Sequence, residues 1–261
     1  MSKVIVITSG KGGVGKSSIS VNLAYALCDK EYRVCLIDAD FGLKNLDVML
    51  GLENRTLYDM QDIIEGKCTI EQAMIKDKRF KNLSLLPACK SLQIDQINSD
   101  FYKNIINVIK KDFDYILIDS PAGIEKGFNY AISLVQSALI VVNLDMASLR
   151  DADRVVGLLM KEGIYQMGLI INKVNEEDIA LNRTLTIEDA KDILSLPIMG
   201  IVYDEHEMIE ANNKGTPLYL NKNSSGYLSF KNIVSRMEGK EVPFLVRKKK
   251  NRFMRWLKMH A

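Results

Sequence analysis

The sequence predicts an α/β fold, a doubly wound and mostly parallel sheet with helices on both faces. Short apolar runs recur along the 261-residue chain and alternate with segments in which the apolar residues have helical spacing. Near-continuous apolar runs are typical of parallel strands that are covered on both faces. Two of the runs end in an aspartate, and the first run of the chain leads directly into a glycine-rich turn. We therefore expect the loops at the carboxyl ends of the strands to form the ligand crevice.

The apolar runs give the order of the predicted strands. They cover residues 4–7, 33–38, 83–86, 115–119, 138–142, 168–171 and 198–202. Helical spacing is clear in residues 19–27, 101–111 and 148–162. The helical face of residues 101–111 is formed by Ile105, Ile106, Val108 and Ile109. Weaker helical patterns lie within residues 56–75, for example at Leu57, Met60, Ile63 and Ile64.

Residues 10–17, with the sequence GKGGVGKS, lie between the first predicted strand and the first predicted helix. Their spacing fits G-x-x-x-x-G-K-[ST], the P-loop that binds nucleoside phosphates. Glycines allow backbone N–H groups to turn towards phosphate oxygens, and the helix N-terminus adds further N–H groups and its dipole. We expect Lys16 to reach the β- and γ-phosphates of ATP and the hydroxyl of Ser17 to ligate Mg²⁺. The predicted ATP-binding residues of this loop are Gly10, Lys11, Gly12, Gly13, Val14, Gly15, Lys16, Ser17 and Ser18.

The same glycines also fit G-x-G-x-x-G, a dinucleotide-binding pattern, through Gly10, Gly12 and Gly15. In that interpretation Asp38 would bind the ribose. A plain glycine turn is a third interpretation, but it does not require the lysine-serine pair at residues 16–17. That pair follows at P-loop spacing and favours the phosphate-binding loop. Separate measurements of ATP and NAD binding distinguish these alternatives.

Three aspartates are predicted to face the same crevice. Asp119 ends an apolar run, as in a Walker B pattern, and is expected to hold Mg²⁺ directly or through water. Asp38 and Asp40 follow the end of another predicted strand, and one of them could orient or activate the attacking water. Asp38 is also a candidate Mg²⁺ ligand. The alternative for all three is an ordinary turn aspartate in contact with solvent.

Composition and charge limit the classes of protein that remain. No segment approaches the roughly 20 apolar residues needed to span a bilayer, so we expect a cytosolic protein. The four cysteines, which show no metal-ligand spacing, are expected to be buried free thiols. Residues 244–261 contain seven of the 35 Lys and Arg residues and no acid, so the rest of the chain carries 28 basic against 33 acidic residues. This asymmetry predicts that the C-terminal end alone meets an anionic surface.

The pattern of the C-terminal end predicts a domain of residues 1–243 followed by a tail of residues 244–261. The tail is expected to form an amphipathic helix that lies in the surface of an anionic membrane. Its predicted membrane-contacting residues are the apolar Phe253, Trp256 and Leu257 and the basic Lys249, Arg252 and Arg255. A solvated basic tail and a nucleic-acid-binding tail are the alternatives. The clustered apolar side chains favour the membrane.

The glycine-rich loop resembles one family in particular. Residues 11–17 are similar to the deviant Walker A motif of the MinD/ParA ATPases, whose hallmark is the additional lysine found here at Lys11. The stretches 38–47 and 119–125 resemble the family's two switch regions, with Asp40 in the water-activating position. The resemblance implies a homodimer that forms with ATP and in which Lys11 contacts the nucleotide of the partner. It also implies that Asn172 contacts adenine, and it gives Lys11, Lys16 and Asp40 as the catalytic residues.

The sequence DSPAGIE at 119–125 is most similar to the septum-positioning branch of this family. That resemblance implies a cytoplasmic ATPase that is peripheral on the inner face of the cell membrane and recruits a division inhibitor of the MinC type. It also allows an activator of the MinE type, and no specific nucleic acid is expected as a partner. A DNA-partitioning or flagellar-number ATPase of the same family is the alternative, as is a nucleotide-binding scaffold with negligible turnover.

Overall fold

The computed structural model describes residues 2–40, 45–89, 99–124 and 126–245 of the chain. Residues 41–44 and Glu125, which belong to the two predicted switch regions, lie outside the described residues. The same holds for the predicted C-terminal helix and for its membrane-contacting residues Lys249, Arg252, Phe253, Arg255, Trp256 and Leu257. These assignments therefore stay predictions.

Eight strands form a single sheet within the described ranges. In chain order they are β1 (Lys3–Thr8), β2 (Val34–Asp38), β3 (Ile75–Lys76), β4 (Leu83–Leu86), β5 (Tyr115–Asp119), β6 (Ser137–Val142), β7 (Gln166–Val174) and β8 (Ile198–Tyr203). Their spatial order is β3-β4-β2-β5-β1-β6-β7-β8. Every neighbouring pair is parallel except β3 with β4. The predicted mostly parallel sheet is confirmed, and β1 lies where the strand order reverses.

Helices cover both faces of the sheet. They are α1 (Lys16–Cys28), α2 (Leu46–Leu50), α3 (Met60–Ile64), α4 (Ile70–Ala73), α5 (Ser99–Ile109), α6 (Lys126–Ile132), α7 (Met146–Lys161), α8 (Glu176–Ala180), α9 (Ile187–Leu194), α10 (His206–Asn213) and α11 (Ser225–Met237). Alternate side chains of β1 enter two different cores, Val4 and Val6 on one face and Ile5 and Ile7 on the other. Helices α5, α6, α7 and α9 pack on the first face, and α1 and α11 pack on the second. The chain is therefore doubly wound, as predicted.

Helix α1 is buried on all sides, and Ser17 is the only one of its 13 residues outside the buried class. The helix lies between the sheet and α11, which explains why its sequence is apolar around the whole circumference. Its interior polar groups are bonded within the protein, because Asn22 donates to the carbonyl of Ser18 and accepts from the N–H of Tyr219. This burial fixes the start of α1, and with it the glycine-rich loop.

Three details differ from the sequence prediction. Leu57 is 83% exposed and precedes α3, whereas Met60 and Ile63 are buried as expected. The weak patterns in residues 56–75 correspond to two short capped helices, α3 and α4. The short antiparallel strand β3 was not predicted, because two residues are too few for a periodic signal. Val108 is 40% exposed, since α5 buries a narrower face than its sequence indicates.

The four cysteines differ in their exposure. Cys28, Cys35 and Cys89 are buried free thiols, as predicted, while Cys68 is partly exposed. Burial raises the pKa of the Cys89 thiol to about 12. Among the described residues, no helix is both long and apolar enough to cross a bilayer.

Residues 242–245, here called the C-terminal strap, cross the free edge of the sheet beside β8. Arg236 donates hydrogen bonds to the carbonyls of the first two strap residues and to that of Met199, at 2.8–3.2 Å. Its guanidinium also lies 4.1 Å from the centre of the Phe244 ring. The hydroxyl of Tyr203 donates to the carbonyl of the last strap residue at 2.5 Å. Arg236 and Tyr203 thus hold the strap beside β8 and α11, which fixes the point from which the tail continues.

Candidate functional site

The carboxyl ends of β1, β2 and β5 meet at one edge of the sheet, where the sequence predicts the ligand crevice. Asp38 at the end of β2 lies directly opposite Asp119 at the end of β5. The loop of residues 9–15 leads from β1 into α1 at the same edge. The N–H of Gly123 donates to the carbonyl of Ser9 at 3.1 Å, which joins the loop after β5 to the glycine-rich loop. The topology thus brings the predicted phosphate loop and the predicted acids together.

The glycine-rich loop has the conformation that its sequence predicts. Gly13 and Gly15 have φ angles of 77° and 94°, in the region that glycine adopts without a steric penalty. A Cβ atom at Gly15 would lie 2.3 Å from Nδ2 of Asn172, and one at Gly10 would lie 2.2 Å from the carbonyl carbon of Asp151. Both positions therefore require glycine. At Gly10 the reason is that the loop packs against the backbone of α7.

Two consecutive carbonyls of this loop are held from outside it. Asn172 donates through Nδ2 to the carbonyl of Val14 at 2.8 Å, and Lys173 donates through Nζ to the carbonyl of Gly13 at 2.8 Å. The amide nitrogen of Asn172 thus contacts the loop. The predicted contact of Asn172 with adenine stays a prediction.

Lys16 and Asp119 lie at the base of the loop, and both are buried. Asp119 accepts a hydrogen bond from the hydroxyl of Ser20 at 2.8 Å, and Ser17 lies near enough to lower the pKa of the Asp119 carboxyl. Burial raises the pKa of the Asp119 carboxyl, while Lys16 and the two serine hydroxyls oppose that rise. The carboxylate is thus desolvated and held by the hydroxyl of Ser20, one turn into α1.

Asp38 is the second buried carboxyl of the site. It accepts backbone hydrogen bonds from the N–H groups of Asp40, Asn45 and Leu46 at 3.1–3.4 Å. Burial, and then the neighbouring Asp119, raise the pKa of Asp38 to about 7. Asp40 is half-buried, and burial raises its pKa against the opposing effect of Lys16.

This set of groups fits a magnesium ion. Two desolvated carboxyls at adjacent strand ends repel each other, and a divalent cation would remove that repulsion. Oxygen donors such as the carboxylates and the hydroxyl of Ser17 are the ligands that Mg²⁺ takes in proteins. No cluster of three or more His, Cys, Asp or Glu side chains forms a metal site in the described ranges. Substrate phosphates and water would complete the coordination of such an ion.

Lys11 does not point across the site in this single subunit. Its Nζ lies 3.2 Å from Oδ1 of Asp145, and the same oxygen accepts the N–H of Ser148 at 2.9 Å. Asp145 is therefore both the N-cap of α7 and the ion-pair partner of Lys11. The predicted contact of Lys11 with a partner's nucleotide stays a prediction.

The structure brings the predicted site residues to one edge, and it adds three residues that the sequence analysis did not single out as functional. Residues 10–18 lie beside Asp38, Asp40, Asp119 and Asn172, as described above, and the hydroxyl of Ser18 accepts from Asn212 at 2.8 Å. Ser20, Asp145 and Lys173 were missed as functional residues. Ser20 lies one turn after Lys16 on the same helix, which is a signal that could have found it.

A parallel sheet with a phosphate-binding loop at its reversal point and two buried acids beside it defines a P-loop nucleoside triphosphatase. A profile described as an AAA domain matches residues 2–187. The chain is 47% identical over 246 residues to the septum site-determining protein MinD of Synechocystis sp., covering 94% of this chain and 92% of that one. The chain is 41% identical over 256 residues to MinD of Bacillus subtilis, covering 97% and 96%. The chain belongs to the MinD family of P-loop ATPases.

Solved structures agree with this assignment. A MinC:MinD cell division protein complex from Aquifex aeolicus superposes with a TM-score of 0.88 at 43% identity, covering 94% of this chain and 99% of that one. The cell division ATPase MinD of Pyrococcus furiosus superposes with a TM-score of 0.82 at 28% identity, covering 92% and 99%. Membership of this family favours the phosphate-binding interpretation of the glycine-rich loop over the dinucleotide-binding one.

Proposed function

We propose that this chain is a Mg²⁺-dependent ATPase that dimerises with ATP, binds the membrane and positions the division septum by recruiting a MinC-type inhibitor. The observation that carries the ATPase part is the buried pair of Asp38 and Asp119, which faces Lys16 at the phosphate loop. The septum part is supported by MinD relatives that align with almost the whole chain. The MinC:MinD complex from Aquifex aeolicus supports an inhibitor of the MinC type as a partner.

Each residue at the site has a proposed role that follows from its position. The N–H groups of residues 10–18 bind the phosphates, and Lys16 neutralises charge on the β- and γ-phosphates. Ser17 and Asp119 hold Mg²⁺, with Asp38 close by. The ion would supply charge neutralisation on the transferred phosphoryl group. Asp40, which is half-buried, orients the attacking water, the role that the resemblance of residues 38–47 to the family's first switch region implies.

Dimerisation is proposed to release Lys11 from Asp145. The two side chains of this ion pair are 45% and 43% exposed, and exposed pairs contribute only about 0–1 kcal/mol. The negatively charged phosphates of a facing subunit's nucleotide would attract Lys11 more strongly than one solvated carboxylate does. The pair is therefore weak enough to be exchanged when two subunits meet.

Membrane binding is proposed to occur through the tail beyond the strap. Arg236 and the strap hold the start of that tail on the body, so its position follows the orientation of the subunit. One short apolar face binds a membrane weakly, and two tails on one dimer bind far better through effective concentration. ATP-dependent dimerisation would thus control membrane binding.

The strap can be tested separately from the nucleotide site. Arg236→Gln removes the charged donor of several hydrogen bonds, each worth about 1.5–3 kcal/mol, so cleavage of the strap by chymotrypsin after Phe244 should become at least tenfold faster. Lys231→Gln is the matched control, because Lys231 also lies on α11. Its ammonium lies 5.8 Å from the centre of the Tyr227 ring. An unchanged rate of cleavage in the Arg236 variant would show that Arg236 does not hold the strap on the body.

The main experiment is co-sedimentation of the full chain with anionic phosphatidylglycerol vesicles, in ATP–Mg²⁺ and in ADP–Mg²⁺. Sedimentation with ATP alone is expected, and deletion of residues 246–261 should abolish it while leaving ATP binding intact. A MinC-type protein added to the vesicles should sediment only when the chain does. Equal sedimentation with both nucleotides would mean that the tail binds the membrane without control by the ATPase. Binding to DNA and not to vesicles would instead favour the DNA-partitioning alternative.

A further inference from the structure

Asn172 and Lys173 interrupt the regular pairing of β7 with β8, the parallel strands at one edge of the sheet. The register between β7 and β8 shifts between Ile171 and Val174, so the two residues form an irregularity near the end of β7. Lys173 has a φ of 55°, in the left-handed region that is unfavourable for a residue with a Cβ. A lysine in this conformation indicates that its side chain makes a contact that compensates for the backbone.

That contact is with the phosphate loop, 160 residues earlier in the chain. The ammonium of Lys173 donates to the carbonyl of Gly13 at 2.8 Å, and Asn172 donates to the next carbonyl, that of Val14. Cε of Lys173 lies 3.9 Å from the position that a Cβ of Gly15 would occupy, so the side chain passes over the loop. In the described part of the chain no carboxylate forms an ion pair with Lys173.

The direction of these two carbonyls determines whether the loop can bind an anion. A peptide unit is planar, so an N–H that points into the cradle requires its own C=O to point out of it. A carbonyl that turned inward would place a partial negative charge against the phosphates and would remove one N–H from them. Lys173 holds the carbonyl of Gly13 outward with a charge-assisted hydrogen bond. Its positive charge also remains at the loop, where it favours a bound anion.

We propose that Lys173 is a positioning residue for nucleotide binding, which holds the phosphate loop in its anion-binding conformation before the nucleotide arrives. This inference rests on the proposed function of the loop. Lys173 is expected to affect the binding of the phosphates and not of the base, because its contact is with the backbone of Gly13 in the phosphate loop. The consequence is that loss of the ammonium weakens the binding of any ligand that occupies the phosphate cradle, whether or not the ligand has a base.

The test uses the full chain and measures displacement of a fluorescent ADP analogue by Mg-ADP and by Mg-pyrophosphate. Lys173→Met, which keeps the stem and removes the donor, should weaken both competitors about tenfold, the loss of one charged hydrogen bond. Lys173→Arg, which keeps a cationic donor, should stay within about threefold of the wild type. Lys191→Met, at an exposed lysine of α9, is the matched control and should bind both competitors like the wild type.

A fourth variant separates positioning from folding. Lys173→Gly removes the side chain at a residue whose φ favours glycine, so the melting temperature should stay level or rise while affinity for both competitors falls. A parallel loss of stability and affinity would mean that Lys173 only supports the fold. Weaker ADP binding with unchanged pyrophosphate binding would place Lys173 at the base, and unchanged binding of both would also overturn the inference. A wild-type chain that binds neither competitor would instead refute the proposed function itself.

Discussion

The buried carboxyl of Asp38 makes the stability of the free protein depend on pH in an unusual direction. Its pKa is about 7 in the folded chain against an ordinary value of 3.8, so the folded state binds the proton more tightly than the unfolded state does. The stabilising effect of this proton is fully present below pH 3.8 and is lost as the pH rises through about 7. Each pKa unit corresponds to about 1.4 kcal/mol, so ionisation of Asp38 above pH 7 costs the fold about 4 kcal/mol. Between pH 5 and pH 8 the loss is about 3 kcal/mol.

Asp38→Asn removes the ionisation and should remove most of this slope. The amide keeps one oxygen for the surrounding backbone donors and loses the other, at a cost of about 1–2 kcal/mol. The variant is therefore expected to be about 2 kcal/mol more stable than the wild type at pH 8 and no more stable at pH 5. Some slope remains, since burial also raises the pKa of Asp119. Urea unfolding at pH 5, 6, 7 and 8, in EDTA and without nucleotide, measures the difference.

Two results would refute this reasoning. The first is a wild-type unfolding free energy that does not fall between pH 5 and pH 8. The second is a slope in Asp38→Asn equal to that of the wild type. Asp192→Asn changes an exposed aspartate of α9 and is the matched control, which should follow the wild-type curve at every pH. Added Mg²⁺ should stabilise the wild type at pH 8 more than it stabilises Asp38→Asn, because a divalent cation at this site would offset the negative charge of the ionised Asp38.

Two further predictions concern the packing that supports the site. Tyr25→Phe removes a hydroxyl that donates to the buried Asp77 at 2.8 Å, so the free energy of unfolding should fall by about 2 kcal/mol. Urea unfolding measures this change, and a fall of less than about 0.5 kcal/mol would contradict the prediction. Gly10→Ala inserts a Cβ 2.2 Å from the carbonyl carbon of Asp151, and overpacking of about 1–3 kcal/mol should weaken ADP binding roughly tenfold. Gly157→Ala, in the same helix α7 with no atom within 4 Å of the added Cβ, is the control and should bind ADP normally.

Much of the fold could be predicted from local patterns. Each parallel strand is a near-continuous apolar run, because both faces of the sheet are covered, and its helical partner has apolar residues at helical spacing. The phosphate loop could be predicted because its chemistry needs glycines and a lysine at fixed spacing within eight residues. Asp38 and Asp119 followed from the rule that parallel strands present their carboxyl ends to the ligand. Leu57 was wrongly placed in a helix, since one apolar residue at helical spacing does not show whether the helix has already begun. The helix begins at Met60.

The residues that escaped prediction act through contacts between distant parts of the chain. Asp145 meets Lys11 across 134 residues, and Lys173 meets Gly13 across 160. Neither contact leaves a local pattern, because an acid at a helix start is an ordinary cap and a lysine at a strand end is an ordinary exposed residue. Only the backbone distinguishes Lys173, whose left-handed φ a single sequence does not display. Local spacing can therefore show where a phosphate is bound, while the groups that hold the binding loop in shape depend on which strand the topology places beside it.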